Sequence, residues 1–163
     1  MADPPAAGEH WGIPRIPASA GALIFDRRGR LLILNPTYKK HWTIPGGQVE
    51  DDGETPWEAC RREAREECGL RVARGRLVCV DFRPRKAGRP GGMRFVFHCG
   101  TFRDEQLRAI TLQEEEISEH RFVDLDEAER LLSGPVRRRV LACAQAKHCI
   151  YLEDGRPVDG IVA

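Results

Sequence analysis

This chain has no surplus of charge of either sign, no long apolar run and no paired-cysteine motif, and each absence removes a class of function. Its 26 Lys and Arg residues stand against 25 Asp and Glu, a formal net charge of +1, so no global field draws it to nucleic acid or to an anionic membrane. Duplex nucleic acid is therefore not an expected partner, and Arg137-Arg138-Arg139 is too short a basic block to change that. No stretch approaches the roughly 18 apolar residues of a membrane span. The opening from Met1 to His10 is polar and lacks the basic and apolar regions of a signal peptide. The expectation is a cytoplasmic protein without membrane association. Cys60, Cys68, Cys79, Cys99, Cys143 and Cys149 form no CxxC pair, and neither they nor the histidines show the spacing of a zinc site. Several of these cysteines lie in apolar runs, where a reduced cysteine acts as a small buried hydrophobe.

What is present is an ordinary globular composition, 163 residues with 41% hydrophobic and 31% charged, enough for one self-sufficient core. Residues 1–16 are rich in Pro and Gly without apolar periodicity and read as a flexible N-terminal arm, which leaves 17–163 as a single domain. Ala18 to Phe25 and Leu31 to Leu34, around the turn Asp26-Arg27-Arg28-Gly29, predict a hairpin. Val78 to Phe82 and Met93 to Phe102 predict two more strands, joined by a mobile Pro/Gly/Arg-rich connection, and Arg121 to Val123 a short one. Helices are expected at Pro56 to Cys68, around Asp126 to Leu132 and around Val136 to Ala146, and the tail from Ile150 suggests a small hairpin through Asp154-Gly155. A mixed sheet with helices packed on it, an α/β protein, is the natural assembly.

The helix from Pro56 to Cys68 has both ends written into the sequence. Thr55 followed by Pro56 and Glu58 is a capping box with proline at the first helical position, and Gly69 supplies the left-handed residue after the last turn. At about 100° per residue, Trp57, Cys60, Ala64 and Cys68 share one stripe that should face the sheet. Glu63, Glu66 and Glu67 flank one edge of that stripe, while Arg61 and Arg65 flank the other. Placing Glu63 four residues from Glu67 forgoes the few tenths of a kcal/mol that an opposite-charge pair would give. A glutamate run is ordinarily just a solvated face. Here, however, it follows Ile44-Pro45-Gly46-Gly47 and the acidic loop Gln48 to Glu54, whose glycines let backbone carbonyls approach a ligand. Carboxylates and carbonyls are the hard oxygen donors that Mg²⁺ prefers.

This stretch resembles the Nudix box, G-x5-E-x7-R-E-U-x-E-E-x-G-U with U aliphatic. Glu54 is followed after seven residues by Arg62-Glu63-Ala64-Arg65-Glu66-Glu67-Cys68-Gly69-Leu70, while the gap from Gly47 to Glu54 holds six residues in place of five. The resemblance implies a Nudix-like α/β/α sandwich with a mixed β-sheet. It also implies an Mg²⁺-dependent hydrolase, with Mn²⁺ as substitute, that cleaves the diphosphate linkage of a nucleoside triphosphate or nucleoside diphosphate derivative. Carried over residue by residue, Glu63, Glu66, Glu67 and the Gly47 carbonyl are the implied metal ligands, Glu63 is alternatively the general base, and Arg62 and Glu54 orient the carboxylates. The extra residue bears most directly on the Gly47 contact.

Outside the box, Glu116, with Glu119 second, is the candidate for one further ligand or base from the acidic loop Glu114 to Glu119. Arg83, Arg85 and Arg89, with Lys86, are candidates to close over substrate phosphates. Trp42 and Phe82 could stack on a base, although aromatics beside strands usually belong to the core. The expected partner is a small nucleotide or nucleotide-like diphosphate, and a homodimer is compatible with this reading. The rival reading is a Nudix-like sensor module that binds a nucleotide without cleaving it. Such modules usually lose box ligands, whereas Glu63, Glu66 and Glu67 are all present here.

Overall fold

The computed structural model describes residues 15–161, so the arm expected over 1–16 lies almost wholly outside the described residues. Seven strands, β1 (Ala18–Phe25), β2 (Leu31–Pro36), β3 (Gly46–Gln48), β4 (Arg76–Arg83), β5 (Gly92–Thr101), β6 (Ile117–Val123) and β7 (Ile150–Glu153), form one sheet. Its order is β6-β2-β1-β5-β4-β7, with β3 paired to β1. The sheet is mixed, because β1 runs parallel to β5 and β4 parallel to β7 while the other pairings are antiparallel.

Helix α1 (Pro56–Cys68) covers one face, and α3 (Leu125–Leu131) with α4 (Gly134–Cys143) covers the other; α2 (Asp104–Arg108) is a single turn after β5. Alternation along the strands divides the core accordingly. Ala20, Ala22, Ile24, Leu32 and Leu34 pack with Cys60, Ala64 and Cys68 of α1. Leu23, Phe25, Leu31 and Ile33 pack with Val140 and Cys143 of α4. Burial on both faces explains why β1 and β2 read as near-continuous apolar runs rather than alternating ones. Five cysteines are buried and Cys149 is exposed, all of them as free thiols. Among the described residues no helix is long and apolar enough to cross a membrane.

Several boundaries differ from expectation for identifiable reasons. β6 begins at Ile117 rather than Arg121, because Ile117 is fully buried and pairs with Pro36. β7 is not principally half of a hairpin. The tail does turn through Asp154-Gly155 to a bridge between Glu153 and Arg156, yet the strand itself lies parallel to β4. β1 and β2 meet at Phe25 and Leu31, but further along their directions part, and residues 43–48 wedge between them. Leu34 there exchanges hydrogen bonds with Thr43, and Ala22 donates to the carbonyl of Pro45.

Candidate active site

Helix α1 is capped as its sequence requires. The Thr55 hydroxyl accepts from the Glu58 amide at 3.2 Å, the Glu58 carboxylate accepts from the Thr55 amide at 2.8 Å, and Gly69 takes φ 71° after the last turn. With both ends fixed and Cys60, Ala64 and Cys68 fully buried, the rotation of the helix about its axis is set, and with it the direction of its glutamates. Glu67 turns inward, 2% exposed, and its Oε2 accepts from the Gly46 amide at 2.8 Å. Burial pushes the Glu67 carboxyl up to about 8, against the pull of that amide, with the charges of Glu63, Lys39 and Glu116 as further influences. Glu63 is also raised, by burial first and by Glu66 and Glu116, against the stabilising hydrogen bond from Arg62.

Arg62 is the hub of this wall. Its Nε and one terminal nitrogen take the two Glu54 oxygens at 2.7 and 3.1 Å, the same terminal nitrogen reaches the Gln48 carbonyl at 2.9 Å, and the other holds Glu63 Oε1 at 2.8 Å and Glu66 Oε2 at 3.0 Å. Bidentate, charge-assisted contacts of this kind fix orientation as well as supply energy. A Cβ at Gly47 would meet the Glu63 carboxylate, so any larger residue there would have to displace that side chain. The extra loop residue is absorbed outside the site. Residues 51–53 form an exposed turn in which the Glu54 amide donates to Asp52 and the Glu50 amide to Glu54, while Gly47 stays in register with Ala20 on β1.

The donor set suits a hard divalent cation. Each carboxylate has one oxygen tethered, Glu67 by Gly46 and Glu63 and Glu66 by Arg62, and a second oxygen that accepts no hydrogen bond among the described residues. A cation would relieve the buried charge that raises Glu67 and Glu63. As the side chains stand, no three His, Cys, Asp or Glu residues among those described already converge at metal-binding distance. The tethers therefore fix one oxygen of each carboxylate and leave the other free to move.

Glu63 and Glu67 open onto a cavity of about 440 Å³ beside the wedge between β1 and β2, whereas the more exposed Glu66 does not line it. Glu63, Glu67, Gly46, Gly47 and Glu116 line one wall, and Arg83, Arg94 and Arg139 line another. Glu119 instead pairs with Arg121 at 2.7 Å, away from the cavity. Arg89 lies in a smaller adjoining recess with Gln48, Arg83 and Arg94, whereas Arg85 lies in a shallow outer depression. Trp42 does not line the cavity; it packs against the core on the α4 side with the Arg121 guanidinium 4.8 Å from its ring centroid.

Sequence reading missed Lys39, Arg94 and Arg139. Desolvation lowers the Lys39 pKa while the nearby Glu67 carboxylate raises it. For Arg94 a signal existed, since a charged residue alternates with Val96 on a strand otherwise rich in Phe and Val, and Asp81 interrupts β4 in the same way. Arg139 was hidden in a basic triplet of which it alone is buried.

The fold agrees with the comparisons to known proteins. The NUDIX domain profile matches residues 15–143, and the chain belongs to the Nudix family. A relative named as an uncharacterised Nudix hydrolase, from Listeria monocytogenes, is 29% identical over 124 residues, 68% of this chain and 65% of its own. The 8-oxo-dGTP diphosphatase of Proteus vulgaris is 36% identical over 63 residues, 36% of this chain and 55% of its own. The chain thus spans less than two thirds of the length of either relative. Among solved structures, a NUDIX hydrolase from Nitrosomonas europaea superposes with a TM-score of 0.66 at 18% identity, over 91% of this chain and 97% of that one, a likeness of fold.

Proposed function

We propose that this protein is an Mg²⁺-dependent hydrolase of the diphosphate linkage in a nucleoside triphosphate or nucleoside diphosphate derivative. The observation that carries the reading is the tethered carboxylate wall, with Glu63 and Glu67 each presenting a free oxygen to a cavity whose other wall is cationic. The Nudix family generally uses a divalent metal, and the diphosphatase activity in the name of the Proteus vulgaris relative is of the same reaction type. Glu63, Glu66 and Glu67, with the backbone of Gly47, would hold the ion, which supplies positive charge against the diphosphate and acidifies water.

The chain's own residues do the rest. Arg62 and Glu54 keep the carboxylates aimed and Gly46 restrains Glu67. Glu116 stands at the rim, where it can accept a proton from attacking water, and Arg83 with Arg89 meets phosphate charge. Trp42 and Arg85, being off the cavity, make no substrate contact in this proposal. The test is hydrolysis of a nucleotide panel with Mg²⁺, products identified by mass. Glu67→Gln should lower turnover on the order of 10²–10³-fold, the scale for removing one preorganised charge-stabilising group, with an unchanged circular dichroism spectrum. Full activity in that variant, or in excess chelator, would sink the proposal.

A further inference from the structure

The proposed diphosphate chemistry uses Arg83 and Arg89 but gives no role to two further guanidinium groups of the cationic wall, Arg94 and Arg139. On β4, Asp81 and Arg83 project to one face, and Arg94 on β5, which pairs in register with Asp81, projects to the same face. From α4 above them comes Arg139, only 7% exposed, with Nε and a terminal nitrogen both 2.8 Å from Asp81 Oδ2; the Gly155 amide occupies Oδ1 at 2.9 Å. Asp81 is therefore fully used by Arg139 and the backbone.

Arg94 is left without an acidic partner among the described residues. Its guanidinium donates only to the carbonyls of Met93 and Gly91, at 3.0 and 3.3 Å. Burial lowers its pKa, and repulsion from Arg139 and Arg83 lowers it further, against an opposing pull from the Asp81 charge. Arg83 fares little better. Its Nε is buried without a hydrogen-bond partner, and it reaches Asp154 only at 3.8 Å, a carboxylate already contacted by Lys86, Arg138 and Arg156. Three guanidinium groups thus face the cavity around one fully committed carboxylate. Like charges gathered in a half-buried recess are unfavourable unless an anion joins them.

The geometry points to a second anion subsite, in which Arg94 and Arg83, backed by the Arg139–Asp81 pair, bind a phosphoryl group of the substrate remote from the carboxylate wall. The uncompensated charge matches a dianionic phosphoryl group better than a single carboxylate, and the forked guanidinium is the donor that such a group accepts bidentately. Resting on the hydrolase reading, this makes the favoured substrate a nucleotide with a phosphate beyond the scissile diphosphate. That phosphate is either further along the same chain, as in a triphosphate, or on the far half of the molecule.

Two measurements test it. The first needs no turnover. In chelator, where the carboxylate wall repels anions, inorganic tripolyphosphate should bind the wild-type protein in calorimetry. Arg94→Ala should weaken that binding at least tenfold, Arg94→Lys should be intermediate, and Glu67→Gln should leave it intact or tighter. Equal binding by wild type and Arg94→Ala overturns the subsite whether or not the protein is a hydrolase. If Arg94→Ala does not fold, the Arg94→Lys comparison decides the same question.

The second measurement sets a nucleoside triphosphate, a nucleoside diphosphate sugar and the same sugar nucleotide phosphorylated on its far half beside one another. Arg94→Ala should raise KM about tenfold or more for substrates with the remote phosphate, with kcat nearly unchanged. A selective effect on the triphosphate assigns the phosphate chain, and one on the phosphorylated sugar assigns the far half. An equal rise in KM for all three contradicts the inference while leaving the hydrolase proposal standing. Absence of any hydrolysis, with tripolyphosphate binding intact, would do the reverse.

Discussion

The two walls of the cavity are built by opposite strategies. Apart from Glu116, the acidic wall comes from residues 46–67, a short stretch in which one arginine, Arg62, makes hydrogen bonds to Gln48, Glu54, Glu63 and Glu66. The basic wall joins Asp81, Arg83, Arg94 and Arg139, drawn from two strands and a helix of the opposite layer. A local hub needs little from the rest of the fold once its helix is capped. A dispersed cluster exists only when the sheet and α4 are both in place, so its charges are tied to global stability. One wall is therefore open to functional damage without unfolding, and the other to unfolding before its functional role is seen.

Three substitutions would break or sharpen that contrast. The largest effect is expected at Asp81→Asn, which leaves the buried Arg139 charge without its counter-ion and should lower unfolding free energy by about 3–5 kcal/mol in urea titrations. A loss well below that range would mean that Arg139 finds water or another partner and that the basic wall is not tied to the core. Next is Arg62→Ala. It should cost roughly 10–100-fold in Mg²⁺ affinity or activity, the usual scale for groups that orient ligands, while far-ultraviolet dichroism shows α1 intact, because Thr55, Glu58 and Gly69 cap the helix without it. Melting of α1 in this variant would show that the hub holds up the helix rather than merely its side chains.

The smallest effect belongs to Asp154, at the edge of the basic wall. Burial opposes its ionisation, but Lys86 and Arg138 outweigh that and hold its pKa below the ordinary aspartate value. A lowered pKa contributes stability that is complete above the unfolded-state value and fades as pH falls through the folded one. Asp154→Asn, which keeps an amino acid tolerant of the φ of 50° found there, should therefore cost up to about 1 kcal/mol at neutral pH, given its surface partners. The difference from wild type should narrow progressively below roughly pH 4. A difference independent of pH would assign the loss to shape rather than charge.

The same contrast governs how much could be read from the residues alone. The limits of α1 were legible to the residue, because capping is local chemistry, and so was the set Glu54, Arg62, Glu63, Glu66 and Glu67, whose spacing on one helix and its preceding loop needs no knowledge of the rest of the fold. β3 was not legible, since Gly46-Gly47-Gln48 carries no strand propensity and pairs only because β1 lies beside it. Arg94 and Arg139 lie far apart in sequence and meet only through pairing and packing, which no periodicity encodes. The basic loop shows the converse difficulty. Its charges are concentrated in sequence, yet the chain directs Arg83 inward, Lys86 to the Asp154 carboxylate and Arg85 outward, so the basic loop does not act as one cluster in the fold.

The wedge that separates β1 from β2 has a mechanical consequence. Because residues 43–48 hold those strands apart, the cavity is open to both layers of the sandwich, and Glu67 of α1 and Arg139 of α4 line the same space from opposite sides of the sheet. Under the proposed function, a nucleotide seated there would act as a rivet driven through the sheet, resisting any sliding of one helical layer against the other. Part of its affinity is then spent holding the sandwich closed, so the protein should be stiffest while a ligand is bound and slacken on release.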